Sequence, residues 1–166
     1  MNILRAALII LTACGGGRPA SVSPPAEPIA TAAPESPQST ETSPTSDLLA
    51  QAALTEQYEL GKRIYVDKTC ASCHGDHGEG NPKNPPVIGS SALPEAAPAA
   101  AKVRKGIVFR TAGDVLAFVR TKMPLKEPGT LSDEEAAAVT AWMLSETKVP
   151  LTVTLDAANA GAISLR

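Results

Sequence analysis

The sequence predicts a small all-α domain, led by a polar linker and followed by a short extended tail, and three observations predict it. Apolar residues recur at helical spacing around Leu60, Ile64 and Tyr65, from Val115 to Val119, and from Ala138 to Met143. Two of these runs follow a capping box, Thr111-Ala-Gly-Asp114 and Ser132-Asp-Glu-Glu135, the first with aspartate in place of the usual glutamate. Nowhere do strand and helix alternate as a βαβ unit requires. The 166 residues leave room for one domain with appendages. Hydrophobic residues make up 43% of the chain but aromatics only 3%, so side chains alone would give a modest core, one that a large flat apolar body would complete. The formal charge is −2, with basic residues scattered except at Lys102, Arg104 and Lys105, which gives no indication of nucleic-acid binding.

Taken in order, the chain opens with Arg5, an apolar run from Ala6 to Leu11, and Leu11-Thr12-Ala13-Cys14. The run is shorter than the ~20 residues that span a bilayer. Small residues before a cysteine resemble a bacterial lipoprotein signal. That resemblance implies a signal peptide over residues 1–13 and a diacylated Cys14 that anchors the protein to a bacterial membrane, facing the periplasm or cell exterior. It also accounts for the odd cysteine among three. From Gly15 to about Ser46 the composition is Pro, Ser, Thr, Ala and Glu, with too little bulky apolar surface to offset the entropy of ordering. Residues 14–50 are therefore assigned to the lipidated cysteine and a disordered linker, with a typical end-to-end span of about 30 Å.

A folded domain is expected over 51–148, beginning between Asp47 and Thr55. Its first helix carries Gly61, which costs about 1 kcal/mol relative to alanine and so marks a place where another backbone comes close. The helix runs into Cys70-Ala-Ser-Cys73-His74. Two thiols at this spacing can add to the vinyl groups of a haem, and the adjacent imidazole then lies over the iron. A thioredoxin-like pair would need a βαβ surround. A zinc site would have to draw on Cys70, Cys73, His74 and His77, crowded together without the spacer that lets ligand pairs approach from opposite sides. One covalent haem c is the expected cofactor.

After His74 come Gly75, a glycine-rich loop and Pro85-Pro86-Val87-Ile88-Gly89. Together with Cys-x-x-Cys-His-Gly, this resembles the haem loop of a class I monohaem cytochrome c. The resemblance covers roughly residues 55–147. It implies that a proline carbonyl of the loop accepts a hydrogen bond from the axial imidazole; Pro86 is assigned that role, with Pro85 as its near neighbour. Such a bond fixes the ring's tautomer and strengthens it as a ligand. Val87 and Ile88 are expected to pack on the porphyrin, whereas His77 reads as a solvent-facing loop histidine.

Pro94 to Ala101 is alanine-rich and suggests a short helix. The basic residues that follow read as a solvated face with one residue near a haem propionate, in preference to a docking patch. The helix from Thr111 ends at Met123-Pro124, where the proline forces Met123 into an extended conformation and projects its thioether from a loop. In the resembling family this element carries the sixth iron ligand, so His74 and Met123 are the expected metal ligands. Met143, beside Trp142 in a strong helix, reads as core packing. The family also sets a glycine of its first helix against an aromatic of its last, a description that fits Gly61 and Trp142. Beyond Lys148 the resemblance stops: Val149 to Leu155 alternates like a lone strand in the extended tail, 149–166.

These expectations describe an electron-transfer protein that is not itself an enzyme. Its partners would be redox proteins and a membrane complex in a respiratory or photosynthetic chain. It would act either as a mobile tethered shuttle or as a subunit of a quinol-oxidising assembly resembling alternative complex III. The competing class is a haem enzyme, such as a small peroxidase, or a haem sensor with an open sixth position.

Overall fold

In the computed structural model, residues 44–99 and 101–166 are described. The expected signal peptide, Cys14 and the linker up to residue 43 lie outside the described residues. The folded chain contains four α-helices, α1 (Pro44–Asp67), α2 (Ala71–His74), α3 (Ala112–Lys122) and α4 (Asp133–Glu146), with 3₁₀ turns at Lys102–Arg104 and Ala160–Ala162. Among the described residues there is no strand, only an isolated bridge between Thr111 and Ser164, and no helix is long and apolar enough to cross a membrane.

Helix α1 starts earlier than the sequence suggested, so residues 44–50 belong to a helix and not to the linker. Pro44 occupies the first helical turn, where its missing N–H costs nothing and its fixed φ suits the helix, and Asp47 complements the dipole. The added turns project beyond the core: Leu48 and Leu49 are 73% and 68% exposed, whereas Leu54 is buried.

Helix α4 is the centre of the fold. Every residue from Ala136 to Leu144 is buried, with α1 and α3 packed against it. Gly61 is where α1 comes closest, because a Cβ there would collide with the backbone carbonyl of Ala138 and crowd Trp142 Cβ at 2.9 Å. Tyr65 stacks obliquely on Trp142 at 4.7 Å between ring centroids. Both capping boxes form in full. Thr111 and Asp114 exchange side-chain and backbone hydrogen bonds at the start of α3, as do Ser132 and Glu135 at the start of α4.

Two expected elements are corrected. The described residues of 94–101 form no helix; Pro94 and Pro98 interrupt the run, and the carbonyls of Pro94 and Glu95 accept hydrogen bonds from Arg104. The tail is neither a strand nor an appendage. Its backbone bonds to side chains: Gln57 Nε2 donates to the Leu155 carbonyl and Gln57 Oε1 accepts the Leu155 N–H, each at 2.8 Å. Asp156 Oδ1 then takes the N–H groups of Ala158 and Asn159 at 2.8 and 2.9 Å, closing a turn. With its donors and acceptors met in this way, the segment has no need of a partner strand. Leu155 and Ala160 are buried in the core, and the chain runs back over α3 with Gly161 against Gly113. The tail thus belongs to the domain, whose boundary does not fall at residue 148.

Candidate haem site

The end of α1 delivers the two cysteines and the histidine. Cys70 N–H donates to the Tyr65 carbonyl at 3.1 Å, so the chain turns directly from α1 into α2. His74 N–H returns to the Cys70 carbonyl at 2.9 Å, and Tyr65 Oη donates to the Gly75 carbonyl at 2.6 Å, which pins the far end of α2 to α1. Burial first, then the negative charge of neighbouring groups, raises the pKa of that phenol, so it stays a donor. Cys70 and Cys73 are half-buried and not joined to each other. Burial also raises the Cys70 thiol pKa, the reverse of what an active thiol-exchange pair requires.

His74 Nδ1 donates to the Pro85 carbonyl at 2.9 Å. This corrects the assignment to Pro86. Val87 N–H is bonded to the Gly78 carbonyl at 2.8 Å, and in a planar trans peptide the Pro86 carbonyl must then point the opposite way. The preceding carbonyl, that of Pro85, is left to meet the imidazole. With Nδ1 occupied, Nε2 is the nitrogen left for iron.

The sequence reading missed the residue that holds this loop in place. Asn81 Nδ2 donates to the Cys73 carbonyl at 2.6 Å while its Oδ1 accepts from the N–H groups of Lys83 and Asn84 at 2.9 and 3.0 Å. The Gly-Asn-Pro sequence around it is a turn signal that could have pointed to it.

Cys70, Cys73, His74, Pro86 and Met123 all line one cavity. Met123 sits just past α3 in an extended conformation (φ −116°, ψ 153°), as the following proline predicts. Met143 also reaches this cavity, from the buried face of α4. Of the two aliphatic residues in the loop, Val87 lines the cavity and Ile88 does not; Ile88 lies against Gly78 and the edge of the core. That corrects the expectation for Ile88, which sits in a bend where the N–H groups of Val87 and Ile88 both donate to the Gly78 carbonyl. His77 is exposed, its N–H bonded to Glu79. Among the described residues no group of three or more His, Cys, Asp or Glu is placed to hold a metal ion by itself.

The residues present suit a covalently held haem. Two unpaired thiols and an oriented imidazole line a cavity shared with Val115, Phe118, Val119, Leu131 and Val139, and a loop thioether, that of Met123, lines it too. A family model described as cytochrome c matches residues 58–147. The chain belongs to the cytochrome c family. Its cofactor is accordingly haem c, and Cys70 and Cys73 are the residues that would hold it. This cytochrome is 33% identical over 90 residues to a thiosulfate dehydrogenase of Stutzerimonas stutzeri (strain A1501), a match covering 51% of the chain and 26% of that protein. It also resembles the crystal structure of the sulfane dehydrogenase SoxCD from Paracoccus pantotrophus, with a TM-score of 0.47 and 26% identity, covering 64% of this chain and 52% of the other. The cytochrome thus spans about a quarter of the first relative's length and about half of the second's.

Proposed function

We propose that this cytochrome is a membrane-tethered one-electron carrier in a respiratory or photosynthetic chain. Lipidated Cys14 and the linker hold it at a bacterial membrane, facing the periplasm or cell exterior. The observation that carries the electron-transfer reading is that Met123 and His74 line the same largely apolar cavity. Bound haem supplies a one-electron iron couple. The chain's own residues do the rest: the thiols fix the group in place, Pro85 orients His74, Met123 closes the sixth position, and the apolar walls keep water out. A haem enzyme or sensor would need that position open.

The oxidised protein should show the weak far-red band of a sulfur-to-iron bond and should resist carbon monoxide. Met123→Ala should lose the band and admit carbon monoxide. An unchanged spectrum in the variant would overturn the assignment of the ligand, and with it the closed-relay reading.

A second reading concerns the partner. The likeness to a thiosulfate dehydrogenase favours a role as the redox partner of an enzyme that oxidises reduced sulfur compounds. A quinol-oxidising complex is the other source of electrons. Purification in mild detergent separates the possibilities: stoichiometric co-migration with a membrane complex would exclude a freely mobile shuttle, and the companion polypeptides would identify the donor system.

A further inference from the structure

The tail grips the start of the helix that leads to Met123. Ala112 N–H, the first of α3, donates to the Ile163 carbonyl at 2.8 Å, and Leu165 N–H donates to the Arg110 carbonyl at 2.9 Å. The Ile163 carbonyl thus meets an amide that the capping box of Thr111 and Asp114 leaves free. Gly113 and Gly161 let the two backbones touch: a Cβ on Gly113 would lie 3.1 Å from the Gly161 Cα and N, whereas one on Gly161 would meet nothing within 4 Å. Arg166 ties the same segment to Phe109 and Leu93, donating to their carbonyls at 3.1 and 2.8 Å. This tail lies beyond residues 58–147, the region matched by the family model.

The other end of α3 is held less firmly. Met123 N–H closes the last turn on the Val119 carbonyl at 3.1 Å, and the ion pair of Arg120 with Asp133 at 3.0 Å is exposed, of the kind that contributes little. Val115, Phe118 and Val119 line the haem cavity, so this flank of the helix leans on the cofactor. Helix α4 supports α3 by packing, but among the described residues the tail makes the only hydrogen bond from a remote part of the chain to the α3 backbone. A helix of 11 residues, about 16 Å long, moves as a rod. A shift at its first turn therefore reaches Met123, whose thioether is a neutral, soft donor with no charge to hold it on iron.

We propose that residues 161–166 form a latch that positions Met123 through α3: with the latch closed the thioether stays on the iron, and with it open the sixth position admits an outside ligand. Gly113, Ile163 and Leu165 are its positioning residues. Such a latch presupposes the Met123–iron bond of the proposed function and gives that closed site a way to open.

Imidazole added to the native ferric protein is the probe, because it competes with the thioether and removes the far-red band. Coupling between two sites is reciprocal. Saturating imidazole should therefore speed deuterium exchange at the Ala112 and Leu165 amides by about tenfold or more, while the amides of α4 keep their rates. Unchanged exchange at both would overturn the latch, whatever any variant does. Two variants approach it from opposite sides: Gly113→Leu wedges the backbones apart, and Leu165→Pro removes the donor to Arg110. Each should bind imidazole about tenfold more tightly, since apparent affinity rises with the fraction of molecules whose site is open. Gly161→Ala, whose added methyl meets no neighbour, should bind it as the native protein does. A lower melting temperature with native imidazole affinity in both latch variants would reduce the tail to a purely structural role and refute the proposal. A native ferric protein without the far-red band would refute the ligation of Met123 itself, and the latch with it.

Discussion

Asn81 joins two parts of the site that are not neighbours in sequence, the helix bearing the cysteines and the loop bearing Pro85. Asn81→Ala should cost about 1 kcal/mol per lost hydrogen bond and loosen the orientation of His74. Thermal unfolding of the ferric protein should show the destabilisation, and the midpoint potential should move with it. A loss of stability with no change in potential would confine Asn81 to a role in the loop alone. Asp114 is a second residue with a testable role. Its carboxyl is held below the ordinary range, first by the backbone N–H of Thr111 and then by that of Arg110. A folded-state pKa depressed in this way stabilises the protein above the unfolded value, and that contribution disappears as pH falls through the folded one. Asp114→Asn should therefore lower the melting temperature at neutral pH and flatten its decline on acidification. Parallel declines in the two proteins would show that the carboxylate makes no such contribution. The haem-binding residues were legible because thiol, thiol and imidazole must be adjacent for the chemistry. Pro85 was not distinguishable from Pro86, because the choice between two neighbouring carbonyls is made by the hydrogen bond from Val87 to Gly78.

Helices α3 and α4 could be placed from sequence because their starts are written locally, a hydroxyl and an acid three residues apart that satisfy the first free N–H groups. The start of α1 could not, since its first turns bury little and carry no apolar periodicity. Gly61 announced a close approach by its cost alone, and α4 makes that approach through Ala138 more closely than through Trp142. Gly61→Ala should destabilise the domain by about 1–3 kcal/mol through overpacking. Denaturant unfolding with an unchanged slope would measure it, and a neutral substitution would mean that α1 can shift off α4.

At the scale of the whole molecule, the all-α class and the covalent haem were readable, whereas the place of the last eighteen residues was not. Their partners, Gln57, Arg110, Phe109 and Leu93, are remote in sequence, and no local pattern encodes such pairings. Leu155 is 1% exposed, so Leu155→Ala should cost about 2–5 kcal/mol. An effect below about 0.5 kcal/mol, the usual size of a surface change, would mean that the tail is dispensable. Membrane attachment is tested at the other end of the chain. Cys14→Ser should move the cytochrome into the soluble fraction with its absorption spectrum intact; retention at the membrane would require an anchor other than lipid on Cys14.

The paired bonds between Gln57 and Leu155 amount to a side-chain amide standing in for a neighbouring peptide. A segment with no helix or strand thereby acquires a backbone amide whose exchange with deuterium should be slow, governed by the opening of the tail from α1. Its protection against that of α4 amides would show whether the chain ends open together or the tail lifts first. Because the two residues are 98 positions apart, their pairing closes a long loop and is expected late in folding.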